Sequence, residues 1–178
     1  ALIPRDSGSR EHPQWFAERD SRRVPNGQLC LTNPELRREL VRRVRELLRA
    51  APESRYISVS QNDNDDFCQC RSCAAFVEKH GNQSDLLLDT VNAVAAAVAE
   101  EFPATLVETP AYRYTRTPPP TVKAAPNVLI RYCTFEADSF RPLTAKQNRQ
   151  FFRDLAAWSR TAKQLRIWNY IANFRKYY

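Results

Sequence analysis

The sequence predicts an α/β chain of about five parallel strands with helical crossovers, and so a partial (β/α)8 barrel. Three observations lead there. Strand-like runs alternate with helix-period runs along the whole chain, and no tight hairpin signal joins one run to the next, which argues for a parallel sheet. Five repeats in 178 residues are too few for a closed barrel, which takes roughly 200–250 residues or more. The remaining α/β choice, an open doubly wound sheet, lacks its phosphate loop, because the only glycines are Gly8, Gly27 and Gly81.

Each element has its own warrant. Ala1-Leu2-Ile3-Pro4 reads as the tail of a strand that begins upstream, and the chain contains no methionine, as expected of a processed product or an internal piece. Residues 1–27 are mostly polar, with His12-Pro13-Gln14-Trp15-Phe16 as the one anchored patch. Gln28 to Thr32 is a short strand candidate. Asn33-Pro34-Glu35 then supplies an N-cap, a proline at the first helical position and an acid in the first turn. That helix places Leu36, Leu40, Val44, Leu47 and Leu48 on one face and ends before Pro52. Tyr56 to Gln61 is the second strand. A short helix over 74–79, closed by His80-Gly81, precedes a longer one from Ser84-Asp85 to Phe102, with Pro103 as its stop. The third strand opens at Leu106-Val107-Glu108 and runs to Tyr112-Arg113-Tyr114. The fourth is Val128 to Cys133. Thr144 with Gln147 resembles a capping box for a helix carrying Phe151, Leu155 and Trp158, and Leu165 to Tyr170 is the fifth strand.

Composition narrows the function. The formal charge is +7, yet six arginines (Arg37, Arg38, Arg42, Arg43, Arg45 and Arg49) lie on one helix, alternating with its apolar stripe as a solvated face does. No nucleic-acid-binding motif accompanies them, so no nucleic-acid partner is expected. No apolar run approaches the ~18–20 residues of a membrane span.

Polar residues gather where strands end. The second strand gives Gln61, Asn62, Asp63 and Asn64; the third gives Glu108, Tyr112 and Tyr114; the fourth gives Arg131 and Glu136; the fifth gives Trp168, Asn169 and Asn173. Parallel strands bring these to one rim. Carboxylates beside amides and aromatic rings suit a sugar, whose hydroxyls take paired hydrogen bonds and whose ring face lies on an aromatic plane. Cleaving a glycosidic bond needs two carboxyl groups, one of them protonated, and Asp63, Glu108 and Glu136 are the candidates. For each, the competing reading is a strand-end acid paired with an arginine. The expected function is carboxylate-based glycoside hydrolysis; the alternative is a non-catalytic carbohydrate-binding or structural barrel using the same rings and amides.

The cysteines form a second constellation. Cys68-x-Cys70-x-x-Cys73 follows the polar strand exit, and Cys30 and Cys133 bring the count to five. Thiolates at this spacing, with His80 seven residues on, have zinc-ligand character. One C-x-x-C pair without its partner pair is half a zinc ribbon, however, so zinc is not favoured and no cofactor is expected. A disulfide, with Cys30 and Cys133 near the same rim as available partners, and unpaired structural thiols are the other readings.

The runs ISVSQNDNDDFCQCRSC, LVETPAYRYTRTPP, NVLIRYCTFEA and LRIWNYIANF, with HPQWFA and QLCLTNPE before them, resemble an uncharacterised bacterial family, domain of unknown function 4838, over nearly the whole chain. The resemblance implies a TIM-barrel glycoside-hydrolase fold near family 20 hexosaminidases and family 67 α-glucuronidases. It implies that residues 1–178 are one segment, the centre of a barrel with strands missing at both ends. It also implies a secreted or periplasmic protein, lipid-anchored in some members. The family more usually has Asp where Asn169 stands, so no catalytic role is carried onto Asn169.

Overall fold

A computed structural model of the chain describes residues 2–25 and 27–170. The N-terminal part is irregular: a short helix α1 (Arg5–Glu11), one 3-10 turn (Pro13–Trp15), and a two-residue antiparallel hairpin, β1 (Glu18–Arg19) with β2 (Arg22–Arg23). The strand expected at Gln28–Thr32 does not form. Its backbone is committed elsewhere: Gln28 N–H donates to Asp66, Cys30 N–H donates to Trp15, and Leu29 makes one isolated bridge with Phe16.

Helix α2 (Pro34–Ala50) starts where expected, with the Asn33 side chain accepting from the N–H groups of Glu35 and Leu36. Leu36, Leu40, Val44 and Leu48 are buried, whereas Leu47 falls off the stripe and is 50% exposed. The arginines of α2 are largely ion-paired: Arg42 and Arg43 with Glu39 on the same helix, and Arg37, Arg45 and Arg49 with Asp89, Glu100 and Glu101. Those last three acids lie on α4 (Gln83–Glu101), so the basic face forms a seam between two helices.

Between them come β3 (Tyr56–Ser58) and α3 (Arg71–His80). Gly81 ends α3 at φ 127°, and a Cβ there would stand 2.4 Å from Pro120 Cγ, so only glycine fits. Helix α4 opens with a capping box made by Asn82 and Asp85, not by Ser84. Asp85 also accepts from Thr121 and Val122, tying the following crossover to the helix.

The last elements are β4 (Leu106–Ala111), β5 (Val128–Cys133), α5 (Arg149–Thr161) and β6 (Gln164–Trp168). Thr144 and Gln147 do not cap α5; a 3-10 turn (Lys146–Asn148) leads into it, and the Asn148 amide holds the preceding loop through Asp138, Arg141 and Pro142. The sheet order is β3-β4-β5-β6, every pair parallel, which is the α/β architecture of a partial barrel with four strands where about five were expected.

Register gives the sheet two unlike faces. Ile57, Val107, Val128, Ile130 and Tyr132 point one way and join Leu40, Val44, Val91, Val94 and Val98 of α2 and α4 in the main core. Ser58, Glu108, Arg131, Arg166 and Trp168 alternate with them and form the opposite face. That face is concave: Arg166 on β6 lies 5.6 Å from the ring of Tyr56 on β3, although three strand spacings, about 14 Å in a flat sheet, separate their backbones.

Candidate functional site

The concave face is built in layers, as a barrel interior is. Glu108 is level with Ser58 and Leu129; Pro110, Arg131 and Arg166 form the next layer; Cys133 and Trp168 form the last, beside Tyr112 at the exit of β4. Glu108 is only 3% exposed because two guanidiniums cover it. Arg131 pairs with one carboxylate oxygen at 3.0 Å and Arg166 with the other. Arg131 in turn lies 4.9 Å from the Trp168 ring, a cation–π contact that leaves Trp168 half exposed. A carboxylate with both oxygens facing guanidiniums is arranged to hold charge in place, with neither oxygen open toward a glycosidic bond.

Above this the strand exits carry aromatic rings. Tyr112 meets Phe135 edge-on at 6.1 Å, and Phe135 meets Tyr170 at 5.2 Å, so one row crosses the exits of β4, β5 and β6. Burial pushes the Tyr170 phenol up to about 12. Gln61 closes the β3 side, its amide donating to the Tyr112 carbonyl at 2.9 Å and accepting from Thr115 at 2.6 Å.

The structure thus gathers Glu108, Arg131, Tyr112 and Trp168, with Gln61 beside them. Other expected members lie elsewhere. Asn62 and Asn64 brace the N-terminal segment: Asn62 donates to Gly27, while Gln28 donates to both. Tyr114 packs on Phe67 at 5.4 Å, and burial raises its pKa. Glu136 pairs with Arg116, which also holds Asp154, so it does not share the ion cluster of Glu108. Asp63 is exposed and has no ion-pair partner among the described residues. Asn169 is exposed and accepts from Thr134; Asn173 lies outside the described residues. Arg166, Phe135 and Tyr170 were missed. Period-two alternation from Trp168 back to Arg166 was the available signal for the first.

The thiols form a separate centre. The Sγ atoms of Cys30, Cys68, Cys70 and Cys73 all lie within 4.8 Å of one another. Hydrogen bonds from Cys68 and Cys73 hold Cys30 far below the ordinary thiol range, whereas Cys68, bonded to Cys30, is pushed up to about 11 and Cys73 is pushed up as well. Cys133 is not a member; it sits on β5 and contacts its own strand. Nor is His80, which stacks on Phe76 and bonds Thr121.

A family model described as "Domain of unknown function (DUF4838)" matches residues 1–178. The chain belongs to this family. Among solved structures, this DUF4838 chain is similar to a β-N-acetylhexosaminidase from Bacteroides fragilis NCTC 9343, at 14% identity and a TM-score of 0.58. The match covers 86% of this chain and 29% of that one, so the chain spans less than a third of its structural neighbour. At that identity the likeness is one of fold, a partial TIM barrel. No curated protein matches. No described helix is long and apolar enough to cross a membrane.

Proposed function

We propose that this DUF4838 chain forms the carbohydrate-binding wall of a glycoside-hydrolase-like barrel, and that the whole protein acts on a poly- or oligosaccharide. The observation that carries the proposal is the pairing of a half-exposed Trp168, fixed over Arg131, with the row Tyr112–Phe135–Tyr170 at the exits of parallel strands. Such rings offer flat apolar faces to a pyranose while neighbouring amides and phenols meet its hydroxyls. The Glu108 cluster acts beneath them as a rigid floor that orients Arg131 and through it Trp168.

Hydrolysis draws on carboxylates outside that cluster. Of the three candidates in this chain, Asp63 is the one not tied to an arginine among the described residues. N-acetylhexosaminides head the substrates to be tried, by likeness to the hexosaminidase. The reading carries with it a secreted or periplasmic location, where such glycans are met.

The test uses the full-length protein against a panel of aryl glycosides, N-acetylhexosaminides included, and immobilised glycans. A glycan bound or cleaved by the wild type should be held at least about tenfold more weakly by Trp168→Ala, the loss of one stacking ring. Unchanged affinity in Trp168→Ala and Tyr112→Ala, with folding intact, overturns the proposal. If binding is lost on those changes while Asp63→Asn leaves turnover intact, the wall stands and the catalytic assignment falls.

A further inference from the structure

Four cysteines that are far apart in sequence converge on one point. Cys30 lies 40 and 43 residues before Cys70 and Cys73, yet their sulfurs are 3.7 Å and 3.9 Å apart. A tetrahedral zinc with Zn–S bonds of about 2.3 Å separates its sulfurs by about 3.8 Å along every edge. Two disulfides would instead draw the sulfurs into two close pairs. A single disulfide would leave two thiols apart, whereas here all four stay mutually near.

The surroundings suit thiolates bound to a cation. The Glu18 backbone N–H donates to Cys68 Sγ at 3.3 Å, and the Thr32 hydroxyl lies 3.1 Å from Cys73 Sγ, the outer hydrogen bonds that orient metal-bound sulfur. Cys70 is the N-cap of α3 and Cys73 sits in its first turn, so the positive end of the helix faces the cluster. Three of the four cysteines are buried, and the small apolar cluster around them adds only Ala17 and Leu86 as further buried members. Leu31, Phe76 and Val77 pack on it only partly buried, so this corner has a small core of its own, a usual setting of a structural metal.

We infer that Cys30, Cys68, Cys70 and Cys73 bind one structural Zn²⁺ as a closed tetrathiolate site. The four ligands leave no open position for substrate or water, so the metal is a cross-link. It joins the N-terminal segment, through Cys30, to the loop leaving β3 and to the start of α3. The inference is independent of the carbohydrate reading.

The full-length protein, purified under reducing conditions, should carry zinc whose X-ray absorption fits four sulfur neighbours at about 2.3 Å. Replacing zinc by cobalt should give the intense visible bands of a tetrahedral cobalt tetrathiolate. Cys70→Ser, at the half-exposed ligand, should lose one equivalent of zinc relative to wild type, while Cys133→Ser retains it. A strong chelator should lower the unfolding midpoint of wild type by about 10 °C or more. Because the absorption and cobalt measurements use wild type, a misfolded variant does not obscure the answer. Zinc absent from wild type, iron in its place, a coordination shell of nitrogen and oxygen, or a disulfide among these four cysteines overturns the inference.

Discussion

The two faces of the sheet come from the same residues, taken alternately, and they hold together by opposite means. On the helical face Val107, Val128, Ile130 and Tyr132 are fully buried, in one core with apolar side chains of α2, α4 and α5. On the concave face one carboxylate and two guanidiniums span three strands. Apolar burial is non-directional and tolerates any shape that fills space. An ion cluster tolerates little, since each member is stable only while the others are present. The first face therefore sets how strongly the sheet folds, and the second sets where individual side chains point.

Truncation on the helical face should have the largest effect. Tyr132→Ala removes a wholly buried ring, its edge contact with Phe151 and its hydroxyl bond to the Phe151 carbonyl, and should cost about 3–5 kcal/mol in denaturant unfolding. A loss below about 1 kcal/mol would mean that this face is not the principal core.

Glu108→Gln should come next, at about 2–3 kcal/mol, less than a fully buried pair because Arg166 keeps 44% of its side chain in solvent. The triple variant Glu108→Leu, Arg131→Met and Arg166→Met, which removes the whole cluster, should recover most of that loss while abolishing the orientation of Trp168. Recovery of both stability and glycan affinity in the triple variant would show that the ion cluster positions nothing.

The smallest effect concerns Asp65, outside both faces, which takes two hydrogen bonds from Arg113. Those bonds hold its carboxyl below the usual range. A depressed folded-state pKa contributes stability that is complete above the unfolded value, about 3.9, and is lost as pH falls through the folded value. Asp65→Asn should therefore lower stability slightly at neutral pH, leave it unchanged below the folded value where Asp65 is itself protonated, and so flatten the acid end of the stability profile. A loss at the acid end, where Asp65 is protonated, larger than that at pH 7 would contradict the sign.

Much of the fold was legible because its signals are local. Asn33-Pro34-Glu35 fixes one helix start, and Gly81 and Pro103 mark stops that need no tertiary information. The false strand at 28–32 shows the limit. Leu29-Cys30-Leu31 has strand composition, but its partners are Trp15, Ala17 and Asp66, and nothing nearby in sequence announces them. The site was legible by strand and obscure by side chain. Glu108, Arg131 and Trp168 were found because polar and aromatic residues gather toward the ends of the strands. Asn62 and Asn64 brace the N-terminal segment, and an amide offered to a ligand and one offered to a backbone look alike in sequence. Cys30 was the hardest, since three thiols close together draw attention from a fourth some forty residues away.

Pro110 carries a consequence of its own. On β4 the even-numbered residues face β3: Leu106 N–H donates to Arg55, and the Glu108 carbonyl accepts from Val59. Pro110 is next in that series and has no hydrogen to give, so the ladder stops at Ser58 and Glu108 while the β4–β5 pairing runs on to Ala111. The two strands unzip at a point chosen by one imino acid, which has no N–H to leave unpaired. Above the seam the Gln61 carboxamide bridges the gap, donating to one neighbour and accepting from another as a peptide group would. A side chain completes what the main chain leaves off, and the mouth of the sheet can widen there without surrendering its last rung.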